Sequence, residues 1–179
     1  VYAKWIEKTD LGFTDVADNS PFRAAIGWAV KEGITNGTSA TTFSPGNTCT
    51  TAQILTFLWR ANGSPNSNAA CPASDVAETS PFYKALCWAN EKDLMTKGSG
   101  STPCTRAAAV TYLWKLAESP KMSVNSSFTD VPASADFAQA VAWAVEQGVT
   151  NGVSASEFAP DSTCTRGQIV TFLYRNLLD

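Results

Sequence analysis

Two arginines, Arg106 and Arg166, complete matching triplets, Cys104-Thr105-Arg106 and Cys164-Thr165-Arg166, and each stands where a helix should begin. The positive end of a helix dipole opposes an arginine at that place, so something else must account for it. One account is an aspartate of a neighbouring segment. Another is an external anion, because a planar guanidinium fork beside free backbone N–H groups suits a carboxylate or phosphate. Both stay open on the residues alone. Other chemistry is scarce. The chain has no His, which removes the commonest general base and metal ligand. The spacings of a nucleophile elbow, a phosphate loop, a dinucleotide fingerprint and a zinc protease are absent. A carboxylate pair of the kind that cleaves glycosides would have to come from Asp15, Asp75 or Asp130, and their recurrence in register fits a structural turn better. We therefore expect no enzyme, no metal and no cofactor.

The elements that must position the arginines are written more than once. The run from Phe43 to Arg60 recurs from Phe158 to Arg175 and, abbreviated, from Thr102 to Lys115. Cys49, Cys104 and Cys164 fall in register, 55 and 60 residues apart. Upstream, Phe13-Thr14-Asp15-Val16 matches Phe128-Thr129-Asp130-Val131 and, more loosely, Ala73-Ser74-Asp75-Val76. Units of this size bury too little surface alone, so they should share a core. Each unit reads as helix, loop, helix: a leading helix over residues 1–12, then repeats at 13–62, 73–118 and 128–179. Ser20-Pro21 and Ser80-Pro81 look like N-cap and first helical position of the first helices, with Asp136-Phe137 opening the third. Gly33 and Gly148 supply the stops. Thr50 with Gln53, and Thr165 with Gln168, form capping boxes for the second helices. Trp28, Trp88 and Trp143 are expected to be buried between units.

Composition narrows the class. A hydrophobic fraction of 44% is enough for a core, and no apolar run is long enough to span a membrane. A net charge of −3, with no basic cluster, excludes a nucleic-acid footprint. No export leader is visible, so an exported protein would draw one from a larger parent chain. The odd cysteine count forbids full pairing within the chain. Buried, inert thiols are the default, with Cys71–Cys87 the one pair we consider for a bond.

On these residues the chain resembles three tandem S-layer homology domains. The markers are Phe13-x-Asp15-Val16, the helix from Phe22 to Ile26, Gly33-Ile34-x-x-Gly37, Phe43-x-Pro45, and a signature that appears as Thr50-Thr51-Ala52-Gln53, Thr105-Arg106-Ala107-Ala108 and Thr165-Arg166-Gly167-Gln168. The resemblance implies an all-α, pseudo-threefold body in one chain, on the surface of a bacterium with a thick wall. It also implies non-covalent anchoring of a larger surface protein to secondary cell-wall polysaccharide, an anionic and often pyruvylated glycan held in grooves between repeats. Carried over by position, Arg106 and Arg166 meet the ligand, Thr105 and Thr165 cap beside them, and Gly37 and Gly152 line the loops. Gln168, Asp15 and Asp130 complete the expected binding set. Three departures stand out: Thr51 replaces the first arginine, Gln or Ala replaces the signature glutamate, and the middle loop is shorter. The competing reading is a protein–protein assembly module with vestigial grooves.

Overall fold

The structure, a computed structural model, describes residues 11–124 and 127–177. The expected leading helix falls, but for its last two residues, outside them. The described residues hold six α-helices: α1 (Arg23–Lys31), α2 (Thr51–Ala61), α3 (Tyr83–Glu91), α4 (Arg106–Leu116), α5 (Ala138–Glu146) and α6 (Arg166–Leu177). There are no strands among the described residues, only isolated bridges, so the chain is all-α.

The second helices start where the caps are written. The Thr50 hydroxyl accepts the Gln53 N–H at 3.3 Å while the Gln53 side chain accepts the Thr50 N–H at 2.9 Å. Thr165 and Gln168 repeat the exchange, and Thr105 caps Ala108. The first helices start later than expected. Ser20 and Ser80 do not cap them. Each belongs to a tight turn in which its hydroxyl accepts the N–H two residues on, and helical dihedrals lead in from Phe22 and Phe82. Gly33 and Gly148 end α1 and α5 at φ 69°, and Asp93 takes the same left-handed place after α3 at φ 54°.

The close helix pairs straddle the repeats instead of lying within them: α1 packs on α6, α3 on α2 and α5 on α4. The helix–loop–helix unit is therefore not a hairpin. Its two helices are held apart by a loop whose partner is elsewhere. Trp28 meets Tyr174 edge-on at 5.7 Å across the first of these pairs, while Trp88 and Trp143 are buried. One hydrophobic cluster takes residues from all three segments.

At the starts of α2, α4 and α6 three backbone hydrogen bonds close a ring. Cys49 N–H donates to the Cys164 carbonyl, Cys164 to Cys104 and Cys104 to Cys49, each at 2.9 Å. All three cysteines are buried. Burial pushes the Cys49 thiol up to about 12 and Cys164 up to about 11, with Cys104 raised further still. These sulfurs are protonated small hydrophobes, and no metal-binding cluster occurs among the described residues.

Candidate functional site

The site is built where the start of one segment's second helix meets another segment's loop. Arg106 N–H donates to the Ser162 carbonyl at 2.9 Å and Ala107 N–H to the Pro160 carbonyl at 3.0 Å. Arg166 and Gly167 do the same to Asn47 and Pro45, each at 2.9 Å. The third amide of each helix goes to its capping threonine. All three leading N–H groups are thereby satisfied. This corrects one expectation: the helix amides are spent on the loop and cannot share in holding a ligand.

The guanidinium groups are also not where the sequence puts them. Arg106 and Arg166 are only 4% and 5% exposed, although they occupy the first helical position as expected. Each is folded under the loop that its own helix grips. Arg106 Nε donates to the Phe158 carbonyl at 2.8 Å and Nη2 to the Thr150 hydroxyl at 3.4 Å. Its carbon centre lies 4.9 Å from the Phe158 ring and 5.5 Å from the Phe172 ring. Arg166 copies this with the Phe43 carbonyl at 3.0 Å, the Thr35 hydroxyl at 3.3 Å and the rings of Phe43 and Phe57 at 4.8 and 5.5 Å.

No carboxylate of a described residue pairs with either arginine. The ion pairs among the described residues are Arg23–Asp18 and Lys115–Asp93. The aspartate account of Arg106 and Arg166 is thus overturned as a direct pairing. Asp130 and Asp15 act one step removed. Asp130 accepts the Phe158 and Ala159 amides at 2.9 and 2.7 Å, and Asp15 accepts those of Phe43 and Ser44 at 2.8 and 2.6 Å. Partial burial alone would raise both carboxyls, but the amides outweigh it and hold them below the ordinary value. Each loop phenylalanine is therefore gripped twice, by an aspartate on its N–H and by an arginine on its carbonyl. Burial pulls both arginines below their ordinary pKa, opposed for Arg106 by Cys164 and Asp130 and for Arg166 by Cys49 and Asp15. A guanidinium stays charged in any such environment.

One donor group is left on each arginine. Nη1 makes no hydrogen bond to a described residue, yet among the described residues no buried side-chain nitrogen lacks a partner, so Nη1 retains contact with solvent. The arrangement is a buried, laterally braced cation with one free edge. Chemically it can receive an oxyanion.

The other expected residues fall into supporting places. Gly37 and Gly152 sit at φ 87° and 82°, where an added Cβ would lie 2.6 Å from the Thr42 and Glu157 carbonyls and within 2.8 Å of the Phe13 and Phe128 rings. Only glycine fits these bends. Gln168 and the threonines at 105 and 165 are occupied with capping. Missed from the sequence were Thr35 and Thr150, both 3% exposed, and the paired rings Phe43 and Phe57, Phe158 and Phe172. The threonines sit in the repeated Thr-Asn-Gly at 35–37 and 150–152, a sequence that by itself suggests no more than a turn. Phe57 and Phe172 each lie eight residues past the cysteine of their segment, a spacing visible in the sequence. A cleft of about 390 Å³ lies far from this chemistry, at the C-terminal ends of α3 and α4, lined by Trp88, Lys92 and Lys115 among others.

Among the described residues no helix is long and apolar enough to cross a membrane. No curated relative matches the chain at a significant level. Two stretches, residues 12–54 and residues 127–170, each match the S-layer homology domain, a family found at bacterial surfaces and associated with cell-wall anchoring.

Proposed function

We propose that this chain anchors a larger surface protein to the bacterial cell wall by binding an anionic, pyruvylated wall polysaccharide at the two arginines. One observation carries the reading. A charge taken out of water without a paired counter-ion is unfavourable by several kcal/mol, yet the fold buries two guanidinium groups with no carboxylate of a described residue in direct contact, only Asp130 and Asp15 one step removed, and leaves Nη1 of each without a hydrogen bond. A carboxylate arriving from outside would supply the missing counter-charge. It would do so at a site already held in place by two rings, a carbonyl and a hydroxyl. The family match at both ends of the chain supports the same reading.

The middle segment, which lies outside both matches, is on this reading a third copy. It keeps the Thr105 cap, the Asp75 clip on the Gly100 and Ser101 amides and its share of the cysteine ring. The cyclic docking, α4 on the last loop, α6 on the first and α2 on the middle one, then amounts to a pseudo-threefold body with the ring on its axis. The test is co-sedimentation with purified wall sacculi before and after chemical removal of the wall polymer. Binding that disappears with the polymer supports the proposal. Binding that survives removal favours a protein-assembly module.

A further inference from the structure

The three docking interfaces are alike in backbone and unlike in chemistry. At two of them an arginine lies between a loop phenylalanine and a helix phenylalanine. At the remaining one, where the start of α2 grips the middle loop, the backbone bonds are the same: Thr51 N–H to the Thr102 carbonyl at 2.8 Å and Ala52 N–H to the Gly100 carbonyl at 2.9 Å. Every charged or aromatic part has changed. Thr51 stands in the place of the arginines, and its hydroxyl donates to the Thr102 carbonyl at 3.1 Å. Tyr112 stands where Phe57 and Phe172 do, eight residues past its cysteine. The shorter loop offers Gly98, Ser99 and Gly100 and no ring at all.

These changes depend on one another. An arginine at 51 would be a buried cation without the loop ring that braces Arg106 and Arg166. A ring at Gly100 has no room, because even a Cβ there would lie 2.8 Å from Val76 Cγ2 and 3.1 Å from Ala52 Cβ. Two hydroxyl-bearing residues, Thr51 and Tyr112, hold the positions that an arginine and a phenylalanine hold at the other interfaces. Burial pushes the Tyr112 phenol up to about 12, so it stays neutral at working pH.

We infer that the chain carries two anion sites, one on Arg106 and one on Arg166, and that Thr51, Gly100 and Tyr112 jointly make the third interface a neutral lock that takes no anion. This rests on reading the two arginines as anion receptors. The locked interface gives up a binding site, so polymer contact is confined to the two interfaces of the last segment.

Native mass spectrometry with a pyruvate ketal of a methyl hexoside counts the sites directly, with an uncharged methyl hexoside as control. The expected count is two ketals per wild-type chain, one for Arg106→Met or Arg166→Met, and still two for Tyr112→Phe, which removes only the hydroxyl of the lock. Wild-type counts of one or three, or a count that falls in Tyr112→Phe, overturn the two-site inference while leaving anion recognition in place. A folded wild-type chain that binds no ketal, or binds the uncharged hexoside equally, overturns anion recognition and this inference with it. The wild-type count needs no variant to fold.

Discussion

Replacing Arg166 by Met removes the charge and keeps most of the apolar stem, which separates the bracing that the structure shows from the anion binding that we propose. Without the guanidinium, the buried Phe43 carbonyl loses a charge-assisted partner, at about 1–3 kcal/mol. Two cation–π contacts go as well, at about 0.5–2 kcal/mol together. Against this, an uncompensated buried charge is relieved, which returns part of the loss. The net should be about 2 kcal/mol, or about 4–8 °C in Tm for a chain of this length. Binding to wall sacculi, measured well below the melting transition, should weaken about ten- to hundredfold, the worth of one charge-assisted contact. The pair of measurements is circular-dichroism melting and co-sedimentation on the same variant. An exposed arginine would leave Tm unchanged, and that result would refute the buried, braced geometry. A lowered Tm with undiminished binding would show that the guanidinium is purely a structural wedge.

Further outcomes follow from the same geometry. Arg106→Lys keeps the charge but not the planar fork, so it should melt lower than wild type and bind more weakly, as thermal melts and co-sedimentation would report. Gly152→Ala forces a Cβ against the Glu157 carbonyl at a positive φ and should destabilise by about 2–3 kcal/mol in urea unfolding, whereas Gly46→Ala, with open space around it, should be close to neutral. Native-state alkylation followed by mass spectrometry should label the half-buried Cys71 first and spare Cys49, Cys104 and Cys164 until the chain unfolds. The folded pKa of Cys49 lies above its unfolded value of about 9, so its contribution to stability is complete below pH 9 and is lost as pH rises toward 12, visible as a falling Tm. Asp15 and Asp130 run the other way. Their folded pKa values are depressed, so the stability they give is present above the ordinary value of 3.8 and declines as pH falls below it.

What could be read from the sequence was the part fixed by near neighbours. A capping threonine and its glutamine are three residues apart, so the starts of α2 and α6 are written locally. The aspartate clips were legible as structural because Asp15, Asp75 and Asp130 recur in register. What could not be read was set by residues far along the chain. Arg166 looks exposed at its helix start, but the loop that covers it contributes Phe43 and Thr35, separated by 123 and 131 residues. The pairing of α1 with α6 is equally remote, so the helix, loop, helix pattern of a single unit does not reveal which helices pack together. Ser20-Pro21 misled for the opposite reason: a serine before proline suits a helix cap and a tight turn alike, and here the turn uses the hydroxyl.

The central claim is that each open guanidinium edge receives a carboxylate from the wall. A crystal structure of the chain with a fragment of its own wall polymer tests this at the atoms concerned. The account predicts a glycan carboxylate within hydrogen-bonding distance of Nη1 of Arg106 or Arg166, with the bracing contacts of Phe158 or Phe43 unchanged. A glycan seated elsewhere, with both arginine edges still facing only water, would contradict it.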